Sequence, residues 1–117
     1  MKISWTTFKI ADMAKSLEFY KEFLELPIVN EIQAGQKRIV FLGDEAHPIE
    51  LIEGEGCPEN AGEGVSVGII YDDLDRMIEK LKGLGINVVG PVSPNPHLKF
   101  FFVKDPDGYT VQLCGNM

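Results

Sequence analysis

Residues 3 to 10, ISWTTFKI, alternate apolar and polar side chains and predict a half-buried strand. Asp12 follows as a helix cap, with Met13, Leu17, Tyr20 and Leu24 recurring at helical spacing behind it. Three short apolar runs come next, near 27–33, 37–42 and 48–53, and each predicts a strand. The pattern then starts again. Residues 65 to 71 predict a strand, Asp72 or Asp73 a cap, and Leu74, Ile78 and Leu81 a helix that Gly85 stops. Strands are expected near 87–92, 98–103 and 109–114. Between the two series lies GEGCPENAGEG, residues 54 to 64, a linker by its glycine and polar content.

The two series are copies of one plan. Asp12 aligns with Asp73, Met13 with Leu74, Lys15 with Arg76, Leu17 with Ile78 and Glu18 with Glu79, an offset of 61 (73 − 12). Arg38 meets Lys99 and Asp44 meets Asp105 at the same offset. One residue inserted in the second turn then shifts it to 62 (112 − 50), so that Ile49-Glu50-Leu51 meets Val111-Gln112-Leu113. That inserted turn, DPDG at 105–108, reads as a hairpin connection. Pro106 presets a turn dihedral, Asp105 can accept from the turn amides, and Gly108 tolerates a positive φ.

Composition narrows the class. A chain of 117 residues with 44% hydrophobic and 25% charged content fits one ordinary globular domain. No run reaches the roughly 18 apolar residues of a spanning helix, and the alternating start does not resemble a signal peptide. Two cysteines, Cys57 and Cys114, make no disulfide framework, so a cytoplasmic location is expected. The net charge of −7 opposes binding to nucleic acid, which is itself a polyanion.

A doubled strand-helix-three-strand unit, with FKIADMAKSLEFYKEFLEL near its start and DPDGYTVQL near its end, resembles the vicinal oxygen chelate superfamily. That group includes glyoxalase I, bleomycin-resistance proteins, fosfomycin-resistance proteins, methylmalonyl-CoA epimerase and extradiol dioxygenases. The resemblance implies an α+β fold in which tandem βαβββ modules form an open eight-stranded mixed β-barrel with the helices outside. Residues 1–117 would make a single domain, with modules 1–54 and 64–117 joined by a linker at 55–63. Strand parity is compatible with an interior pocket. Phe8 and Ile10 should face the first helix, leaving Trp5, Thr7 and Lys9 toward the cavity. Val65, Val67, Ile69 and Tyr71 should face the second helix, leaving Ser66, Gly68 and Ile70. On the last strand Thr110, Gln112 and Cys114 share one face.

Enzymes of this superfamily generally hold a divalent cation between the first and last strands of each unit, usually through His and Glu. Carried over residue by residue, that pattern falls on Trp5, Glu50, Ser66 and Gln112. Only Glu50 is a good transition-metal ligand, because indole offers no available lone pair and Ser and Gln oxygens are neutral and weak. No metal cofactor is therefore expected, and glyoxalase I chemistry as the family performs it is placed in doubt. His47 and His97 fall outside the ligand positions. His47 is expected at a solvated strand end and His97 in a loop that could overhang the pocket. Cys114 is expected as a small apolar filler. Arg38 and Lys99 are expected at solvated strand edges, with an anion-holding role as the alternative.

The expected function is small-molecule binding in a cavity lined by Trp5, Thr7, Lys9, Glu50, Ser66, His97 and Gln112. An aromatic or cationic ligand suits the indole and the acidic charge. The alternative is a glyoxalase-like lyase, isomerase or dioxygenase relative with Glu50 as base or residual metal ligand. A third possibility is a structural protein whose polar cluster, with Lys9 or Gln112 partnering Glu50, has no dedicated ligand. The resemblance also implies a homodimer.

Overall fold

The computed structural model describes residues 1–59, 61–62 and 64–116, so Asn60 and Glu63 of the expected linker lie outside the described residues. The chain divides into two compact units, Met1–Glu59 and Asn60–Met117. Each holds a four-stranded mixed sheet with a helical segment on one face. In the first unit the strands are β1 (Thr6–Ile10), β2 (Ile28–Ala34), β3 (Lys37–Leu42) and β4 (Ile49–Glu53), in the order β1-β4-β3-β2. In the second they are β5 (Ser66–Ile70), β6 (Val89–Asn95), β7 (Leu98–Lys104) and β8 (Thr110–Asn116), in the order β5-β8-β7-β6. The first and last strands of each unit pair parallel, and the other neighbours pair antiparallel.

Alternation along the strands sorts the side chains as expected. In the first sheet Phe8, Ile10, Val40, Leu42 and Leu51 are buried on the helix side, where Phe8 packs on Tyr20 with ring centroids 6.4 Å apart. In the second sheet Phe101, Val103, Val111 and Leu113 are buried beneath α2 (Leu74–Gly83), whose Leu74, Met77, Ile78 and Leu81 complete that core. Asp12 and Asp73 are the two helix caps, accepting from the backbone N–H of Lys15 at 3.3 Å and of Arg76 at 3.1 Å.

The helices differ at their far ends. The second stops as expected at Gly85 (φ +80°), where Gly85 N–H donates to Lys82 and Ile86 N–H to Leu81, which satisfies the last carbonyls. The first begins as α1 (Met13–Leu17) but widens into a π-helical segment, Glu18–Phe23, before a left-handed residue, Glu25 at φ 64°. Cap to left-handed residue is thirteen positions here (25 − 12) and twelve in the second unit (85 − 73). The extra residue is absorbed as a π turn, with Leu24 N–H donating five residues back to Phe19. Simple helical spacing therefore misplaces part of the core. Ser16 and Phe19 are buried, and Leu17 is only half-buried.

Other boundaries also moved. The first strand starts at Thr6, whose N–H donates to Pro48 O, so Ile3 and Trp5 precede the ladder with β4. Val65 likewise precedes β5 and is 70% exposed, not turned toward the helix. The sixth strand runs to Asn95, through prolines that a sheet tolerates only at an edge such as this one. Only Pro96 and His97 remain as its hairpin tip. No helix among the described residues is long and apolar enough to cross a membrane.

The DPDG turn forms as expected. Asp105 is buried and its carboxylate accepts from the N–H of Asp107 at 2.9 Å and of Tyr109 at 2.8 Å, with Gly108 at φ 92°. Asp105→Ala would strand both amides and should cost about 2–4 kcal/mol in urea unfolding. Gly85→Ala, where an added Cβ meets nothing within 4 Å, should cost about 1 kcal/mol through its positive φ alone.

Candidate functional site

The face of the first sheet opposite its helix carries most of the expected site. Thr7 stands directly across from Glu50 in the parallel β1–β4 ladder, and Thr7 Oγ1–H donates to Glu50 Oε1 at 2.5 Å. Phe41 stands across from Glu50 on the other side, in β3. Its ring meets Trp5 edge-on, with centroids 6.4 Å apart and planes at 89°. Trp5 is 56% exposed and Glu50 is half-buried. The next row along this face is Lys9, Ile52, Ile39 and Ile32. The result is one carboxylate, held by one hydroxyl, among aromatic and branched aliphatic side chains.

Lys9 shares this face but pairs in register with Ile52, and its Nζ lies 3.4 Å from where a Cβ on Gly56 would be. The Cys57 thiol donates to the Lys9 carbonyl at 3.4 Å. The lysine head is thus placed beside the segment that follows β4. The hydrogen-bond donor found on Glu50 is Thr7.

The second unit repeats the register with different side chains. Gln112 stands across from Gly68, which offers no side chain, and its Nε2 donates instead to Ser66 Oγ at 3.0 Å. Phe102 lies across from Gln112 on β7. Phe100 and Phe102 occupy this face, and Phe101 is buried on the helix side, so the aromatic run serves both sides of its sheet. A cleft of about 220 Å³ at the β6–β7 end is lined by Ile86, Asn87, Val89, Phe102, Val103 and Lys104. At the equivalent end of the first unit, Gly43 N–H donates to Pro27 O at 2.8 Å.

The remaining candidates fall outside these faces. His47 Nε2 lies 3.1 Å from Thr6 Oγ1 at the strand end, and His97 is exposed at the hairpin tip with its N–H on Asn95 Oδ1. Arg38 pairs with Glu31 at 2.8 Å, and Lys99 pairs with Asp75 at 3.1 Å while lying over the Phe101 ring. Both cations sit on the helix side of their sheets, in register with Glu53 and Gly115. Sequence reasoning missed Phe41. Its signal was its place one step from Val40 and Leu42, on the opposite parity, facing the same way as Glu50.

As a donor set for the metal that the resemblance implies, Trp5, Glu50, Ser66 and Gln112 do not fit. They supply one anionic oxygen, two neutral oxygens of low basicity and an indole that donates only. Among the described residues no three His, Cys, Asp or Glu side chains gather as a metal-binding group.

The superfamily model for glyoxalase, bleomycin resistance protein and dioxygenase matches residues 2–113. The chain belongs to this superfamily. Within it, a probable lactoylglutathione lyase from Vibrio parahaemolyticus is 32% identical, over 98% of this chain and 91% of its own. TnmS3, an antibiotic binding protein from Streptomyces sp. CB03234, shares the fold with a TM-score of 0.79 at 18% identity, covering 100% of this chain and 97% of its own. Leishmania major glyoxalase I does so with a TM-score of 0.80 at 20% identity, covering 98% and 86%. Relatives in the superfamily are thus named both for catalysis and for binding, and the fold alone does not choose between them.

Cys114 lies on the same face as Gln112 but is buried, and burial pushes its thiol above the ordinary value, against a smaller opposing effect of a backbone hydrogen bond with Ile69. The folded state favours the neutral thiol, so this contribution to stability holds at neutral pH and is lost as pH rises through the raised value. Iodoacetamide at pH 8 should alkylate the half-buried Cys57 first, with Cys114 at least about tenfold slower while the fold is intact. Peptide mapping of partially labelled protein reads this directly.

Proposed function

We propose that this protein binds a small aromatic or cationic molecule on the Glu50 face of its first sheet. The observation that carries this is the Glu50 carboxylate, fixed by Thr7 and flanked by the Trp5–Phe41 aromatic pair. A carboxylate beside aromatic rings attracts an organic cation by charge and by the ring quadrupole together. The net charge of −7 favours the same class of ligand at long range. Lys9 is proposed as a flanking polar contact, and the Ser66–Gln112 pair as the polar group of the equivalent face in the second unit. On this reading the two modules make one domain whose sheets form the open eight-stranded barrel of the family. The superfamily's metal chemistry is proposed to have been given up, because the donor set does not suit it. A cytoplasmic homodimer is the proposed working form.

A second reading, a lactoylglutathione lyase-like enzyme, is favoured by the names of the curated relatives at 27–32% identity. Forming lactoylglutathione from the hemithioacetal of glutathione and methylglyoxal moves a proton between adjacent carbons. Glu50 Oε would take that proton from one carbon and return it to the next, as a general base and then an acid.

Trp5 is the only tryptophan, so its fluorescence reports on this face. Titration with 1-benzylpyridinium, a quenching aromatic cation, should give saturable quenching that Glu50→Gln weakens about tenfold, or 1.4 kcal/mol. Linear quenching equal in both proteins would contradict the binding reading. Turnover of the hemithioacetal that falls about 100-fold or more in Glu50→Gln would establish the enzyme instead.

A further inference from the structure

We propose that Thr7 is a positioning residue that presets the Glu50 carboxylate for its ligand. This rests on the reading of Glu50 as the ligand's anchor and adds what fixes that anchor beforehand. Thr7 and Glu50 are cross-strand partners on one face, and the hydroxyl donates to Oε1 at 2.5 Å, within the range of a charge-assisted bond. Among the described residues Oε2 has no hydrogen-bond partner. One carboxylate oxygen is therefore committed to the protein, and the other keeps its lone pairs for an incoming group.

The second unit shows what happens without the hydroxyl. The position equivalent to Thr7 is Gly68 (68 − 7 = 61), and the residue across from it is Gln112, the equivalent of Glu50. With no side chain opposite, the Gln112 amide turns along the ladder to Ser66, two residues away from its register partner. The same backbone thus directs the last-strand side chain differently, according to what the first strand presents. Threonine is suited to this task because its β-branch stiffens χ1 and so fixes the direction of the hydroxyl. Glutamate has three soft torsions, and holding them before the ligand arrives lowers the ordering cost of binding.

Thr7→Val keeps the shape and strand preference and removes only the donor, and Thr7→Ser keeps the donor. Three-bond couplings of the Glu50 side chain, measured by NMR without ligand, should show one rotamer in the wild type and in Thr7→Ser. They should average in Thr7→Val. Affinity for 1-benzylpyridinium should fall about five- to tenfold in Thr7→Val and recover in Thr7→Ser, the ordering cost of one rotamer-rich side chain. A wild-type Glu50 that already averages, or one that Thr7→Val leaves ordered, overturns the proposal whatever the probe does. Probe binding lost in Glu50→Gln but unchanged in Thr7→Val overturns it while leaving the ligand site standing. Probe binding insensitive to Glu50→Gln removes the ligand site, and the couplings then decide Thr7 alone.

Discussion

The register of the parallel pair that joins the first and last strand of each unit is the constraint on which the rest depends. It sets Thr7 against Glu50 and Gly68 against Gln112. Because strand side chains alternate with period two, a slip of one residue would send Glu50 beneath the helix and bring Leu51 out. The apolar side chains under each helix oppose that slip. Phe8, Leu51 and Val40 in one unit, and Val111, Leu113 and Val103 in the other, are all nearly or wholly buried. Core packing on one face therefore fixes the address of every polar group on the other. The chemistry of the face can then change without disturbing the fold.

The two halves show how far such change has gone. Where Glu53 reaches from β4 to accept from Met13 N–H at the start of the first helix, the second half has Gly115, the equivalent residue (115 − 53 = 62). There the helix comes so close that an added Cβ would lie 2.9 Å from Leu74 Cβ. A carboxylate cap in one copy and a bare backbone in the other solve the same helix–sheet junction. The two turns that begin with an aspartate differ in a similar way. Asp44 accepts from Ala46 N–H in an exposed turn, and Asp105 accepts from two amides in a buried one. The repeat conserves positions and register, and the side chains at those positions have diverged.

That pattern explains what was legible in the chain. The duplication, the strand parity of Phe8, Ile10, Val111 and Leu113, the two aspartate caps and the DPDG turn all depend on local spacing, and all formed as read. The π turn depends on a one-residue surplus that only comparison of both helix ends exposes. The end of β6 was placed short, near 92 instead of at Asn95, because prolines signal loops locally and its edge position is a property of the whole sheet. At the site, parity placed Trp5, Thr7, Lys9 and Glu50 on one side. The partner of the carboxylate was not legible, since Thr7, Lys9 and Gln112 all had suitable parity and only the register singles out Thr7.

Membership of the glyoxalase and bleomycin-resistance superfamily supplies the fold, which proteins named for catalysis and for binding share. The central proposal is that this chain keeps the fold with a carboxylate–aromatic face at Glu50, Trp5 and Phe41 that holds no divalent ion. The most direct test is calorimetric titration of the purified, chelator-treated protein with Zn²⁺ and with Ni²⁺. The account predicts no saturable binding at one ion per chain in the micromolar range or tighter. One ion bound per chain, and lost in Glu50→Gln, would contradict it.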